Sequence, residues 1–227
     1  MADRIVLNIP HSSFVFPFGF DAWEEGMQKE IERLTDKYTD RIFVPDVDNP
    51  NIFAVIYPYS RFFCDVERLM NDPMEEIGQG IIYKRFNGKK RDVPVADDPR
   101  IMATYMNHIR LLRACLKDEQ SFMVDCHSFP PDLSDVEICI GLNDDWSRPS
   151  DTLINNVIGI FESYGLKTAI NTPFSNSISP EYHFRYKSLM IEINKKLYLN
   201  ENGALLQSGI AMLKKAISEV YQSILTK

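Results

Sequence analysis

The stretch that decides the fold reads IVLNIPHSS over residues 5–13. Its apolar run predicts a buried strand, and His11 stands where that strand ends. A second stretch, FMVDCHS over residues 122–128, repeats the arrangement and ends near His127. Ligands of open α/β sheets collect at the carboxyl ends of the strands, so two imidazoles delivered there could share one metal ion. The alternative is that each histidine only caps its strand and is hydrogen-bonded locally.

Strand-like runs alternate with helical patterns along the chain, which is typical of a layered α/β domain. The pattern predicts strands at 4–10, 51–57, 121–126, 136–141, 166–170 and 188–194. It predicts helices at about 21–35, 36–44, 99–117, 149–164 and 201–225. Because no linker or repeat divides the chain, we expect one domain over residues 1–227, with 71–98 as a loop or lid insertion. The basic residues at 84–91 surround the turn signal Asn87-Gly88 and are expected in a solvated hairpin or loop.

Bulk composition argues against two classes of partner. The formal net charge of −7 disfavours a general nucleic-acid-binding protein, whose binding surface is basic. No apolar stretch approaches the roughly 20 residues that span a bilayer, so no membrane partner is expected. The first residues lead into a strand without the features of a signal peptide, and we therefore expect a cytoplasmic protein. The sequence leaves the oligomeric state open.

The four cysteines are expected to be reduced and mostly buried, because Cys64, Cys115, Cys126 and Cys139 show neither C-x-x-C pairing nor zinc-finger spacing. A metal-free cysteine hydrolase using Cys126 or Cys64 is an alternative. Adjacent strand residues point to opposite faces, however, so Cys126 and His127 are not expected to pair with each other.

Two histidines would need a third ligand to hold a catalytic zinc, which typically takes three protein side chains and leaves a position for water. Asp36 in TDKYTD (residues 35–40) is one candidate, and Asp40 and Asp46 are others. Residue types alone do not choose among them, and each could instead be a helix cap or a surface carboxylate.

A buried acid offers a catalytic base. Glu192 lies inside the apolar run SLMIEIN (residues 188–194), where an ionised carboxylate is costly unless it is paired or near a cation. Such an acid beside a metal is a candidate general base. A structural pair with a neighbouring arginine or lysine is the alternative.

Two arginines bracket an apolar stretch in YSRFFCDVER (residues 59–68). Arg61 and Arg68 could bind a substrate carboxylate or polarise a carbonyl oxygen. Either could instead pair with Asp65 or Glu67 on the surface.

Seven motifs in this order resemble those of the N-formylglutamate amidohydrolase family, which is related to zinc carboxypeptidases. They are IPHSS (9–13), DKYTDRIF (36–43), SRFFCDVER (60–68), GIIY (80–83), DCHS (125–128), NTPF (171–174) and IEINKKLY (191–198). The resemblance implies a three-layer α/β/α sandwich with a mixed central sheet, similar to zinc carboxypeptidases. It also implies a zinc-dependent hydrolase, with one Zn²⁺ or another divalent metal per chain, that cleaves the amide of a small N-acyl amino acid. A catalytically degenerate small-molecule-binding protein of the same fold is the alternative.

The resemblance also implies roles for single residues. It assigns His11, Asp36 and His127 to the metal, favouring Asp36 over Asp40, and it assigns Glu192 as the base. Arg61 is expected at the oxyanion, and Arg68 and Asn171 are expected to contact substrate. From its place in the chain, His183 could contact substrate, whereas His108 is expected to be a packing or surface residue.

The chain departs from the family pattern at three places. It has HSS where the family commonly has His-Ser-Gly, DVER where the family has Asp-Leu-Asn-Arg, and no glycine pair after NTPF. Glu67 in place of Asn adds a negative charge beside Arg68, which is expected to bind a substrate carboxylate. The assignment of the metal site is therefore better supported than the identity of the substrate.

Overall fold

The structure is a computed structural model that describes residues 2–17, 26–91, 99–178 and 185–225. Its strands are β1 (Arg4–Ile9), β2 (Ile52–Ile56), β3 (Arg85–Phe86), β4 (Lys89–Lys90), β5 (Ser121–Phe129), β6 (Ile138–Gly141), β7 (Thr168–Ile170) and β8 (Lys187–Asn194). Its helices are α1 (Met27–Leu34), α2 (Thr39–Phe43), α3 (Pro99–Cys115), α4 (Asp151–Ser163) and α5 (Gln207–Leu225). The predicted helix residues 21–25 and His183 lie outside the described residues.

Six strands form one mixed sheet in the order β2-β1-β5-β8-β6-β7. The strands β2, β1, β5 and β8 are parallel to one another, whereas β6 is antiparallel to β8 and parallel to β7. The central strand β5 is buried along its whole length, which explains its continuous apolar sequence. The predicted mixed α/β sheet is confirmed.

Helices cover both faces of this sheet. The side chains of Ile5 and Leu7 pack into the core beneath α4 and α5, while those of Val6 and Met123 pack into the core beneath α3. The alternation of side chains along a strand therefore produces the predicted three layers. His127 has the same parity as Met123, so its side chain projects from the face that α3 covers.

Two predicted boundaries were wrong for identifiable reasons. β5 was expected to end at residue 126, but it continues to Phe129 because β8 pairs with it up to the couple Phe129 and Asn194. His127 therefore lies within a strand and not after one. The last helix was expected from residue 201, but it begins at Gln207, because Asn200 closes a turn by accepting hydrogen bonds from the backbone N–H groups of Asn202 and Ala204.

The middle of the described part of the expected insertion, residues 78–83, is packed against the core, whereas most of residues 71–77 and 84–90 are exposed. Ile81, Ile82 and Tyr83 are buried, and β3 and β4 form the predicted hairpin around Asn87 and Gly88, both of which have positive φ. One basic residue departs from the expected solvated cluster: Arg91 is buried and donates a hydrogen bond to the carbonyl oxygen of Phe63. A lid role for residues 71–98 stays a prediction.

The cysteines are free thiols as expected, with Cys64, Cys126 and Cys139 buried and Cys115 partly buried. Within the described part of the chain, no helix is both long and apolar enough to cross a bilayer.

Two helical glycines differ in the space around them, and this difference makes a stability prediction. A Cβ on Gly209, in the first turn of α5, would overlap the carbonyl oxygen of Leu197, whereas a Cβ on Gly159 in α4 would meet nothing within 4 Å. We expect Gly209→Ala to lower the free energy of unfolding by about 1–3 kcal/mol through overpacking. Gly159→Ala should raise it by about 0.5–1 kcal/mol, because alanine is the better helix former.

Urea denaturation of both variants and the parent protein measures the two effects. If Gly209→Ala proved as stable as Gly159→Ala, the close contact between α5 and Leu197 would be wrong.

Candidate active site

The site forms where strand ends and loops converge. His127 on β5 and Glu192 on β8 are register partners, so their side chains lie side by side on one face of the sheet. His11 follows β1, and its carbonyl oxygen accepts a hydrogen bond from the N–H of Asp36, which fixes the turn between α1 and α2 against it. Glu67 arrives from the loop after β2. Four separate segments thus deliver side chains to one place.

Three of these side chains could hold a metal ion. Ligand atoms of His11, Glu67 and His127 all lie within 4.8 Å of one another, which no other group of three or more such residues does in the part of the chain that the structure describes. Glu67 Oε1 is 2.8 Å from His127 Nε2, and Glu67 Oε2 is 3.4 Å from His11 Nδ1. The centroids of the two imidazole rings are 5.2 Å apart, so the two histidines lie next to each other although His127 stands inside β5.

Each of the two histidines contacts a carboxylate through the ring nitrogen that faces away from Glu67. Asp65 Oδ1 lies 2.8 Å from His11 Nε2, and Asp36 Oδ2 lies 3.0 Å from His127 Nδ1. His11 Nδ1 and His127 Nε2 then face Glu67, and His127 Nε2 also lies 3.2 Å from Asp125 Oδ1. Histidines that bind metals usually bond to a carboxylate or carbonyl through their other nitrogen, which fixes the ring and raises its basicity.

The donor set fits a divalent metal. His11 Nδ1 is buried and makes no hydrogen bond, which is costly for a ring nitrogen without a ligand. Two imidazoles and one carboxylate are also a ligand set typical of catalytic zinc. The residues present therefore match the group that the sequence resemblance implies.

Electrostatics favour a cation at the same point. Burial alone would lower the pKa of His127, but Glu67 and Asp125 raise it well above its usual value. Burial alone would raise the pKa of Asp36, but hydrogen bonds with His11 and His127 hold it well below the usual range. The histidine is thus driven toward its charged form by surrounding carboxylates, and a metal ion can supply that positive charge instead.

Asp36 was expected to be the third ligand, and the structure places it beside the triad and not within it. Its Oδ2 is 3.7 Å from His11 Nδ1 and bonds to the side of His127 that faces away from Glu67. Of the other candidates, Asp46 is exposed and pairs with Lys214, while Asp40 lies in α2. Glu67 was noticed in the sequence only as an added charge beside Arg68.

Glu192 is buried, and its Oε2 makes no hydrogen bond. Burial raises the pKa of Glu192 to about 8; the nearby His127 opposes this shift, and Asp36 and Glu67 reinforce it. Among the described residues no arginine or lysine forms an ion pair with it within 4 Å, although the charges of Arg61 and the buried Lys195 interact with it. The side chain is instead available to exchange a proton.

Both predicted arginines line the same cavity as Glu192, and both approach Asp65. Arg61 Nη2 donates to Asp65 Oδ2 at 2.9 Å and to the hydroxyl of Tyr83 at 3.1 Å, while Arg68 Nε lies 3.7 Å from Asp65 Oδ2. The pairing with Asp65 that was considered for the surface is therefore found inside the site.

A cavity of about 470 Å³ opens beside these groups. Its lining comprises charged residues (Asp36, Arg61, Glu67, Arg68, Asp72, Asp145, Glu192), polar residues (His127, Ser128, Asn143, Ser175, Asn176, Ser177) and apolar residues (Leu34, Leu69, Phe129, Pro130, Leu133, Phe174, Ile178, Met190). Its size suits a small molecule.

Two other predicted residues lie apart from this cavity. Asn171 Oδ1 accepts a hydrogen bond from the N–H of Leu142, and its Nδ2 donates to the carbonyl oxygen of Leu142, so both ends of the amide are engaged. His108 is buried as a packing residue and bonds to Asn8, and burial, with a smaller effect of His11, lowers the pKa of His108 to about 4.

The cysteines do not offer a nucleophile. Burial raises the pKa of Cys64 to about 12 and that of Cys126 well above its usual value. The Cys126 thiol donates to the carbonyl oxygen of Val124 and not to His127. Because the thiolate is the reactive form, the cysteine-hydrolase alternative lacks a competent group.

The chain matches the sequence profile of the N-formylglutamate amidohydrolase family over residues 3–199. It belongs to that family. This confirms the resemblance read from the seven motifs and the prediction of an amidohydrolase enzyme. No curated protein sequence matches the chain.

Two solved structures are similar in fold. An N-formylglutamate amidohydrolase from Ralstonia eutropha JMP134 superposes with a TM-score of 0.75 at 20% identity, covering 99% of this chain and 92% of its own. A gene product of Agrobacterium tumefaciens superposes with a TM-score of 0.64 at 17% identity, covering 98% of this chain and 92% of its own. At these identities the likeness supports the fold.

The geometry separates the roles of Glu67 and Asp36 toward a metal. We expect Glu67→Gln to weaken zinc binding by more than about 100-fold, since a ligand charge is lost. Asp36→Asn should weaken it by about 10–100-fold, as for other carboxylates that support a ligating histidine. Competition of the metal-free protein with a chromophoric chelator measures both constants.

Asp40→Asn is the matched control, because Asp40 lies on the neighbouring helix outside the cavity lining, and it should leave the affinity unchanged. A larger loss for Asp36→Asn than for Glu67→Gln would make Asp36 the ligand.

Proposed function

We propose that this protein is a metal-dependent hydrolase that cleaves the amide bond of a small N-acyl amino acid, the class of compound to which N-formylglutamate belongs. The observation that carries the proposal is the buried Glu192 carboxyl, whose Oε2 makes no hydrogen bond, beside the group formed by His11, Glu67 and His127. Family membership supports amide hydrolysis as the reaction class. The expected cytoplasmic location stays a prediction.

His11 Nδ1, His127 Nε2 and a carboxylate oxygen of Glu67 would hold the metal. We propose one zinc ion per chain, with another divalent metal of similar donor preference as the alternative. When bound, such a metal polarises the amide carbonyl and lowers the pKa of a water molecule toward about 7. Asp65 and Asp36 position the two histidines from behind.

Glu192 acts as the general base. In its carboxylate form, its Oε2 accepts a proton from the attacking water and later returns that proton to the leaving nitrogen, so that the carboxylate is restored after each turnover. Burial raises the pKa of the Glu192 carboxyl, which helps it to hold the proton until the leaving nitrogen takes it. Burial also limits the exchange of this proton with bulk water.

Arg61 and Arg68 serve the charged parts of the substrate. Arg61 is held by Asp65 and Tyr83, so its guanidinium is preorganised to stabilise the developing oxyanion. Arg68 is less constrained and is assigned to the substrate carboxylate. We leave Asn171 out of the proposed site, because Leu142 already occupies both ends of its amide.

The degenerate binding-protein alternative gains no support from the site. A protein that only binds a ligand has no use for an acid such as Glu192, which is buried without a hydrogen bond at a cost in stability. A role in proton transfer gives a reason for keeping this buried acid in spite of its cost in stability.

Replacing the base should separate catalysis from metal binding. We expect Glu192→Gln to lower kcat by about 10²–10⁴-fold, the usual contribution of a general base. Metal content, measured by mass spectrometry of the purified protein, should stay at one ion per chain, because Glu192 is not among the proposed ligands. Asp46→Asn, at an exposed carboxylate outside the cavity, is the control and should leave kcat unchanged. Full activity of Glu192→Gln would show that another group is the base.

Replacing Arg68 should act on substrate binding. Arg68→Met keeps most of the aliphatic stem and removes the charge, so KM should rise about 10-fold or more while kcat changes little. Steady-state kinetics with a formyl amino acid measures both constants. Arg110→Met, at an exposed arginine of α3, should change neither constant. An equal loss in kcat with KM unchanged would instead place Arg68 at the reacting carbonyl.

A further inference from the structure

Resting on the proposed function, we propose that the preferred substrate is an N-acyl amino acid with one carboxylate and an apolar side chain, and not a dicarboxylate such as N-formylglutamate. Two independent features of the cavity lead to this substrate class. One is the shortage of cations that could pair with a second carboxylate. The other is an apolar wall beside His127 and Glu192, formed by Phe129, Leu133, Phe174 and Met190.

Cations are scarce in this cavity. Its lining contains five carboxylate residues but only two permanent cations, Arg61 and Arg68. Arg61 donates a hydrogen bond to the buried Asp65, whereas Arg68 approaches Asp65 only to 3.7 Å, so Arg68 is the arginine that Asp65 engages less. The internal segments outside the described residues, 18–25, 92–98 and 179–184, contain no lysine or arginine that could add a permanent charge.

Two further carboxylates make a second substrate carboxylate more costly. Asp72 and Asp145 line the cavity because each closes a local turn, Asp72 by accepting from the N–H of Met74 and Asp145 by accepting from the N–H of Ser147. Their structural roles explain why they are there, and their charges repel an incoming anion. A glutamate side chain would therefore lie near two carboxylates without an arginine or lysine of its own to pair with.

The apolar wall lies next to the catalytic pair. Side chains two residues apart on a strand share a face, so Phe129 on β5 follows His127, and Met190 on β8 precedes Glu192. Phe174 packs on Phe129 with ring centroids 6.1 Å apart. An apolar group bound near the reacting carbon would lie against these rings.

Part of this wall is exposed at the mouth of the cavity. Leu133 is 42% exposed and Phe174 is 38% exposed, although both are large apolar residues. Exposed apolar side chains that line one concave surface are typical of a ligand-binding site. A substrate side chain that covers them would remove this apolar area from water. An N-acyl leucine would gain binding free energy from this burial, whereas an N-acyl glutamate would not.

The test compares three substrates with the same acyl group. We expect kcat/KM for N-formyl-L-leucine to exceed the values for N-formyl-L-glutamate and N-formyl-L-lysine by about 10-fold or more. A preference for the glutamate compound would overturn this inference and leave the proposed function intact. A preference for the lysine compound would also overturn it and would assign Asp72 and Asp145 to the substrate. If the zinc-loaded protein hydrolysed none of the three, the proposed function itself would fail.

A charge reversal at the wall gives a second test that misfolding cannot imitate, because the readout is a ratio of two substrates. Leu133→Lys should lower the leucine-to-glutamate ratio of kcat/KM by about 10-fold or more, by raising the value for glutamate as it lowers that for leucine. Leu111→Lys, at a similarly exposed leucine on α3, should leave the ratio unchanged. An unchanged ratio in Leu133→Lys would remove this wall from substrate selection.

Discussion

The register between β5 and β8 is the constraint on which the rest of the site depends. It sets His127 beside Glu192 in the middle of a sheet, where both side chains are nearly excluded from water. A slip of β8 by one residue would turn the side chain of Glu192 to the opposite face, beneath α4 and α5, and would separate it from His127. The apolar side chains that fix this register by packing on both faces therefore also fix the distance between the proposed metal ligand and the proposed base.

Asp65 extends this constraint to the loops. Its carboxylate contacts His11 Nε2, Arg61 Nη2 and the hydroxyl of Tyr83, and it accepts from the N–H of Glu67. Burial alone would raise the pKa of Asp65, but the charges of Arg61 and His11 hold it well below its usual range. One ionised side chain thus joins the end of β1 to the loop after β2 and to the segment before β3. This explains why that segment is packed beneath the site.

The sequence predicted the sheet and part of the site because those signals are local. Each central strand is an apolar run, and His11, His127 and Glu192 are polar exceptions at or inside such runs. Glu67 could not be assigned in this way, since it lies in a loop without periodicity and its role depends on two histidines far away in the chain. Asp36 was chosen from the family resemblance, and only the hydrogen bond to His127 Nδ1 shows which side of the ring it occupies.

A chain of buried polar groups beneath His127 shows how such a site can be kept in place. Asn8 Nδ2 donates to Asp125 Oδ1 at 2.8 Å, so Asn8 Oδ1 must accept, and the hydrogen bond from His108 requires a proton on Nε2 of that histidine. Burial alone would raise the pKa of Asp125, but His127, the N–H of Ile178 and Asn8 together lower it. A neutral His108 supplies the last donor without adding a charge that would compete with a metal ion. His108, expected from the sequence to be a packing or surface residue, therefore orients the Asn8 amide that donates to Asp125, and this chain of hydrogen bonds ties α3 to the strands that carry the site.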